Sequence, residues 1–151
     1  MRYKRIASIL GVSAMLVGSV IGAAGEASAY PRVNVCGSSY GSLKQYEIRS
    51  SGPNSRRVGW IDTYYSSSTG KNCAIARGDD AQASGFSEIW VGIGLSGTDH
   101  WAEENGQGSN YTKYAGPVYV YAPGSTCIDV GAGLFYGDGQ YASGGGEEIR
   151  C

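Results

Sequence analysis

Phe86-Ser87-Glu88-Ile89-Trp90-Val91-Gly92-Ile93-Gly94-Leu95 alternates along its length: Ile89, Val91, Ile93 and Leu95 take every second position, and Trp90, Gly92 and Gly94 face the other way. A period of two sends successive side chains to opposite faces of a strand, so the stretch predicts a β-strand half buried against a core. Its glycines mark a bulge or a close neighbour on the other face.

Outward from this strand, Arg57–Tyr65 alternates as well, with Val58, Trp60, Asp62 and Tyr64 on one face and Ile61, Thr63 and Tyr65 on the other. Tyr40–Ile48 precedes it as a first strand, and Ser66–Gly70 reads as the turn of a hairpin that returns through Asn72–Ala76. Downstream, Ser96–Asn110 is Gly-rich and polar and carries the Asn105-Gly106 turn signal, so it reads as an exposed loop. Val118-Tyr119-Val120-Tyr121 is a strand with valines on one face and tyrosines on the other; Cys127–Val130 and Leu134–Tyr136 read as two further strands. Gly144-Gly145-Gly146 reads as a flexible end that Cys151 pins. The sum is an all-β fold: a small single-domain sandwich or barrel-like body of short antiparallel strands.

The first residues have a different logic. Arg2, Lys4 and Arg5 precede an apolar run from Ile6 to Ala24, and Ala27-Ser28-Ala29 closes it, the three zones of a secretory signal peptide. The expected boundaries are 1–29 for the signal peptide and 30–151 for one mature β domain, secreted and free of the membrane after cleavage. The mature part then holds nine Lys and Arg against twelve Asp and Glu, a formal charge of −3. The basic footprint of a nucleic-acid binder is absent.

Leu, Ile, Val and Phe supply only 19 of the 122 mature residues, a disorder-like share, yet the charge is low and eleven Tyr and three Trp offer large apolar areas to bury. With 21 Gly and almost no Leu, long helices are disfavoured. Cys36, Cys73, Cys127 and Cys151 all lie in the exported part, an even count that reads as a disulfide framework. Of the three pairings that four cysteines permit, the sequential one, Cys36 with Cys73 and Cys127 with Cys151, is favoured, because each bond then ties one half of the domain. The body is thus expected to be stapled by two disulfides. A metal site is not expected: no C-x-x-C occurs, His100 is the one histidine, and the loop around Asp138 lacks calcium-loop spacing.

No catalytic set can be assembled from these residues. Asp99 is merely the sequence neighbour of His100, no G-x-S-x-G elbow occurs, and the thiols are expected to be oxidised. Asp62, Glu88, Glu103, Glu104 and Asp129 are carboxylates a glycosidase could use, but sequence does not measure their separation. The surplus is aromatic. Trp101 is the best candidate for an exposed ring that stacks on a sugar or peptide, followed by Tyr119 and Tyr121 if Val118 and Val120 face the core.

The segments Thr69-Gly70-Lys71-Asn72-Cys73 and Tyr114-Ala115-Gly116-Pro117-Val118-Tyr119-Val120, with Cys36-Gly37 and Cys127-Ile128-Asp129, resemble the spore-associated protein A family of streptomycetes and related actinomycetes. Where that family tends to carry a tryptophan after the Asp that follows the third cysteine, this chain has Val130. The resemblance implies a small, extracellular, disulfide-bonded protein found with spores and aerial growth, without cofactor or established reaction. The expectation is a secreted, non-enzymatic protein of the spore or cell surface with a structural or adhesive role. Its partner would be the spore or cell-wall surface, or a secreted protein. The alternatives are an inhibitor that presents Ser96–Asn110 to a secreted hydrolase, and a carbohydrate-binding module built on Trp101.

Overall fold

The computed structural model of the chain describes residues 34–79, 86–105, 114–136 and 139–151; the signal-peptide reading of 1–29 falls outside them. Eight strands follow in order: β1 (Gly41–Ser50), β2 (Arg57–Ser66), β3 (Lys71–Gly78), β4 (Phe86–Leu95), β5 (Trp101–Asn105), β6 (Tyr114–Tyr121), β7 (Ile128–Tyr136) and β8 (Tyr141–Ile149). All neighbours pair antiparallel in one sheet of order β5-β4-β7-β8-β1-β2-β3-β6. β6 packs against β4 and β5, so the sheet curls into a nearly closed barrel.

The inward faces explain the scarcity of leucine. Ile89, Val91 and Ile93 of β4 meet Ile61 of β2, Ala74 and Ala76 of β3, Val118 of β6, and Ala132 and Leu134 of β7. Branched side chains alternating with alanines fill a tight barrel without long residues. In β2 the inward positions are Ile61 and Thr63, while Trp60, Asp62 and Tyr64 point outward. Val58 is the exception: Ile48 pairs with Gly59 and Arg49 with Arg57, so Val58 is the extra residue of a bulge and joins the interior.

β2 and β3 are buried on both faces. Outside, Cys36, Tyr64, Cys73 and Ile75 form a second cluster, with Val35, Tyr40, Leu43 and Tyr114 packed on it. The segment from Asn34 to Tyr40 lies over it, held by Cys36–Cys73, by the bond from Asn34 Nδ2 to the Tyr40 carbonyl (3.0 Å) and by Tyr119 Oη donating to the Cys36 carbonyl (3.2 Å). Cys127–Cys151 is the other bond, so the sequential pairing holds.

Three sequence readings change. Trp101–Asn105 is not loop but strand β5, paired with Gly94–Trp90; the exposed turn shrinks to Ser96–His100, and 106–110 fall outside the described residues. Cys127–Val130 and Leu134–Tyr136 belong to one strand, β7, because Gly131 and Gly133 continue the ladder and leave outward room for Trp90. Gly144-Gly145-Gly146 is not a loose end but the middle of β8: a Cβ on Gly144 would collide with the Glu47 carbonyl, and one on Gly146 would come within 2.9 Å of the Tyr46 ring.

Replacing Cys36 and Cys73 by Ser opens a loop of sequence separation 37, which the chain-entropy account values at roughly 3 to 4 kcal/mol. The expected outcome is a clear fall in the melting temperature with strand content retained, followed by near- and far-ultraviolet circular dichroism. A variant as stable as the parent would show that the Asn34–Tyr40 segment holds without its staple.

Candidate functional site

Most large aromatic side chains are spent on packing. Trp60 is covered by the Arg57 guanidinium, 4.5 Å from its ring, and that arginine is fixed by Asp79 at 2.9 Å. Trp90 lies over Gly131 and Gly133, pressed where any Cβ would meet it. Among the described residues, three large apolar side chains remain exposed: Trp101 at 43%, Tyr119 at 37% and Tyr121 at 62%. They do not form one patch. Tyr119 and Tyr121 stand on the outer face of β6, whereas Trp101 begins β5 and lines a separate depression.

That depression is built by register. Trp101 pairs with Gly94, and Gly94 pairs with Asp129 on β7, so the three form one outward row across β5, β4 and β7. The next row is Gly92, Gly131 and Gly145. With no side chain on Gly94, the indole of Trp101 lies against the backbone of β4, and Gly145 leaves backbone exposed in the depression beside it. A Cβ on Gly94 would stand 2.8 Å from Trp101 Cδ2. The result is a shallow groove of about 420 Å³ lined by Trp101, Asp129, Val130, Gly145, Gly146 and Glu147.

The carboxylates differ in availability. Asp129 Oδ1 accepts from Ser96 Oγ (2.5 Å) and from the Glu148 backbone N–H (2.7 Å), which clamps the turn after β4 to the bulge in β8. Glu147 stands exposed on the rim. Asp62 is only 1% exposed; its two oxygens take Arg77 Nε (2.8 Å) and Gln45 Nε2 (2.7 Å), so it is withdrawn from any chemistry on a substrate. The side chains of Glu103 and Glu104 lie outside the described residues. His100 is exposed in the turn, its backbone N–H donating to Thr98 Oγ1 at 3.2 Å. Among the described residues no group of three or more His, Cys, Asp or Glu is placed to hold a metal.

Tyr119 is half functional candidate and half strut. Its ring sits 5.5 Å from Tyr40, and its hydroxyl donates to the Cys36 carbonyl. Burial, and after it the neighbouring Tyr40, raise its pKa above the ordinary tyrosine value of 10.0. Sequence reasoning named the three exposed rings; it did not foresee that Gly94 makes room for the Trp101 indole, whose signal was the alternation of Gly92 and Gly94.

In comparisons with known proteins, the chain is 30% identical over 122 residues to Spore-associated protein A of Streptomyces coelicolor, a match that covers 81% of this chain and 71% of the other. No family model and no solved structure matches the chain.

Gly94→Ala is expected to lift the indole from the β4 backbone. The checks are a changed Trp101 contribution to fluorescence and quencher access, and a stability loss of about 1 to 3 kcal/mol from overpacking. A second expectation concerns alkaline pH. A raised folded-state pKa at Tyr119 contributes stability below pH 10.0 that is lost as pH climbs through the folded value. Thermal melts from neutral to strongly alkaline pH should therefore fall more steeply for the parent than for Tyr119→Phe, which starts about 1 kcal/mol lower for want of its hydrogen bond.

Proposed function

The chain belongs to the spore-associated protein A family, and from that premise we propose that it acts outside the cell as a non-enzymatic protein of the spore or cell surface, adhering to wall or coat polysaccharide through the Trp101 groove. The observation that carries the reading is Trp101 itself: an indole 43% exposed, laid against the backbone at Gly94 and held on a strand instead of a loop. Such a ring offers its face to the apolar side of a sugar at little entropic cost. Glu147 on the rim supplies hydrogen-bond acceptors for hydroxyl groups.

Export fits the same reading. Residues 1–29 have the zones of a signal peptide, with 30–151 as the mature domain, and two disulfides survive where the surroundings are oxidising. A rigid, cross-linked body with small loops suits residence on an exposed surface. The withdrawal of Asp62 by Arg77 and Gln45, and the holding of Asp129 Oδ1 by Ser96 and Glu148, support a binding role over a hydrolytic one.

The test is co-sedimentation of the oxidised mature protein with intact spores, isolated wall and insoluble polysaccharides. Trp101→Ala is expected to weaken retention by about ten-fold or more, the effect of losing a buried aromatic anchor, while its melting temperature stays near that of the parent. Equal retention of parent and variant removes the groove from the function. Retention of neither by any of these surfaces directs the search to a soluble secreted partner.

A further inference from the structure

The interior changes character at the end of the barrel where β1 begins and β2 and β8 finish. Further in, inward positions hold Ile, Val and Ala; here they hold Lys44 and Tyr46 on β1, Thr63 and Tyr65 on β2, and Asn72 on β3. The result is a cleft of about 210 Å³ whose lining includes Lys44, Tyr65, Asn72, Gly124 and Arg150. That is room for about seven waters at ~30 Å³ each, the size of a small organic acid.

Arg150 enters this mouth after β8. Its Nη2 donates to the carbonyl of Ser42, to that of Thr63 (2.7 Å) and to Thr63 Oγ1 (3.2 Å). The Cys127–Cys151 bond holds the next residue and so keeps the arginine in place. Three features are unusual together. Arg150 Nε is buried with no partner among the protein groups. Asn72, 2% exposed, donates through Nδ2 to the Ala122 carbonyl at 3.4 Å, but its Oδ1 is likewise buried without a partner. Among the described residues no carboxylate lies within salt-bridge distance of Lys44 or Arg150. A buried polar atom without a partner is destabilising, and cations that make no ion pair are free to take a bound anion. Burial also lowers the Arg150 pKa and raises that of Tyr46 beside it.

We propose that this mouth binds a small carboxylate bearing a hydroxyl or amino group next to its carboxyl. Lys44 and Arg150 are donors and take the carboxylate oxygens. Asn72 Oδ1 only accepts, so the ligand must present an O–H or N–H beside its negative charge, which chloride and sulfate cannot do. The site uses no residue of the Trp101 groove and stands or falls apart from it.

The test is calorimetric and NMR titration of the oxidised protein with lactate, glycolate, alanine and glycerate, against acetate, sulfate and chloride. At least one hydroxy or amino acid is expected to saturate the protein and to shift resonances around Lys44, Asn72 and Arg150. Acetate should bind about ten-fold more weakly for lack of the donor to Asn72. Lys44→Ala, a change at an exposed position, should cost a similar factor, and Asn72→Asp should abolish binding by facing the ligand with a like charge. Trp101→Ala should bind as the parent does. Absence of saturable binding by any probe, undiminished affinity in Lys44→Ala, or equal affinity for acetate or sulfate would each overturn the proposal.

Discussion

The approach of β8 to β1 is the constraint on which the rest of this barrel depends. Each strand is a member of one of two groups of four, β1-β2-β3-β6 and β5-β4-β7-β8, and these join through a short ladder in which Arg49 pairs with Ser143 and Ser50 with Ala142. At that seam Gly144 lies so close to the Glu47 carbonyl that no side chain fits. Each group alone is a small sheet with one apolar face bare to water, which strand pairing by itself does not stabilise. Joined, they enclose Ile48, Ile61, Ile89, Ile93 and Leu134 in one interior.

Closure also explains why the outside is so heavily worked. An interior lined with alanine and branched residues is small, and β2 and β3 compensate by burying their outer faces as well. Cys73, Ile75 and Tyr64 lie under the Asn34–Tyr40 segment, while the Asp62–Arg77 pair sits on that same outer face, with both carboxylate oxygens of Asp62 partnered. A buried ion pair is weak evidence for stability. Its value here is in register: it matches one position on β2 to one on β3, and a slip of one residue would strand both charges.

Much of this was legible in the sequence. The alternation of Phe86–Leu95 located the central strand, the even cysteine count pointed to a disulfide framework whose favoured sequential pairing is the one found, and Trp101, Tyr119 and Tyr121 were named as candidates for exposed rings. What escaped reading has a common physical cause. Trp101–Asn105 carries a polar, acidic pattern because β5 is an edge strand that hydrogen-bonds on one side only and gives the core no more than a partly buried alanine, Ala102, so its alternation is faint. Gly131, Gly133 and Gly144 looked like interruptions because their purpose is to leave space for Trp90 and for β1, and a missing side chain does not announce what fills its place. The barrel mouth depends on bulges at Ser42 and Glu148, residues with positive φ of 52° and 48° whose sequence carries no glycine to mark them.

The position of the disulfides relative to the seam has a mechanical consequence. Cys36–Cys73 closes a loop within the group that contains β1, β2 and β3, and Cys127–Cys151 closes one around β7 and β8. Neither crosses from one group to the other. The molecule can therefore part along β1 and β8 without breaking a covalent bond, each half keeping its own loop and its own correct cysteine partner. The covalent cross-links thus preserve each group's own loop and leave the meeting of the two groups to strand pairing and packing alone.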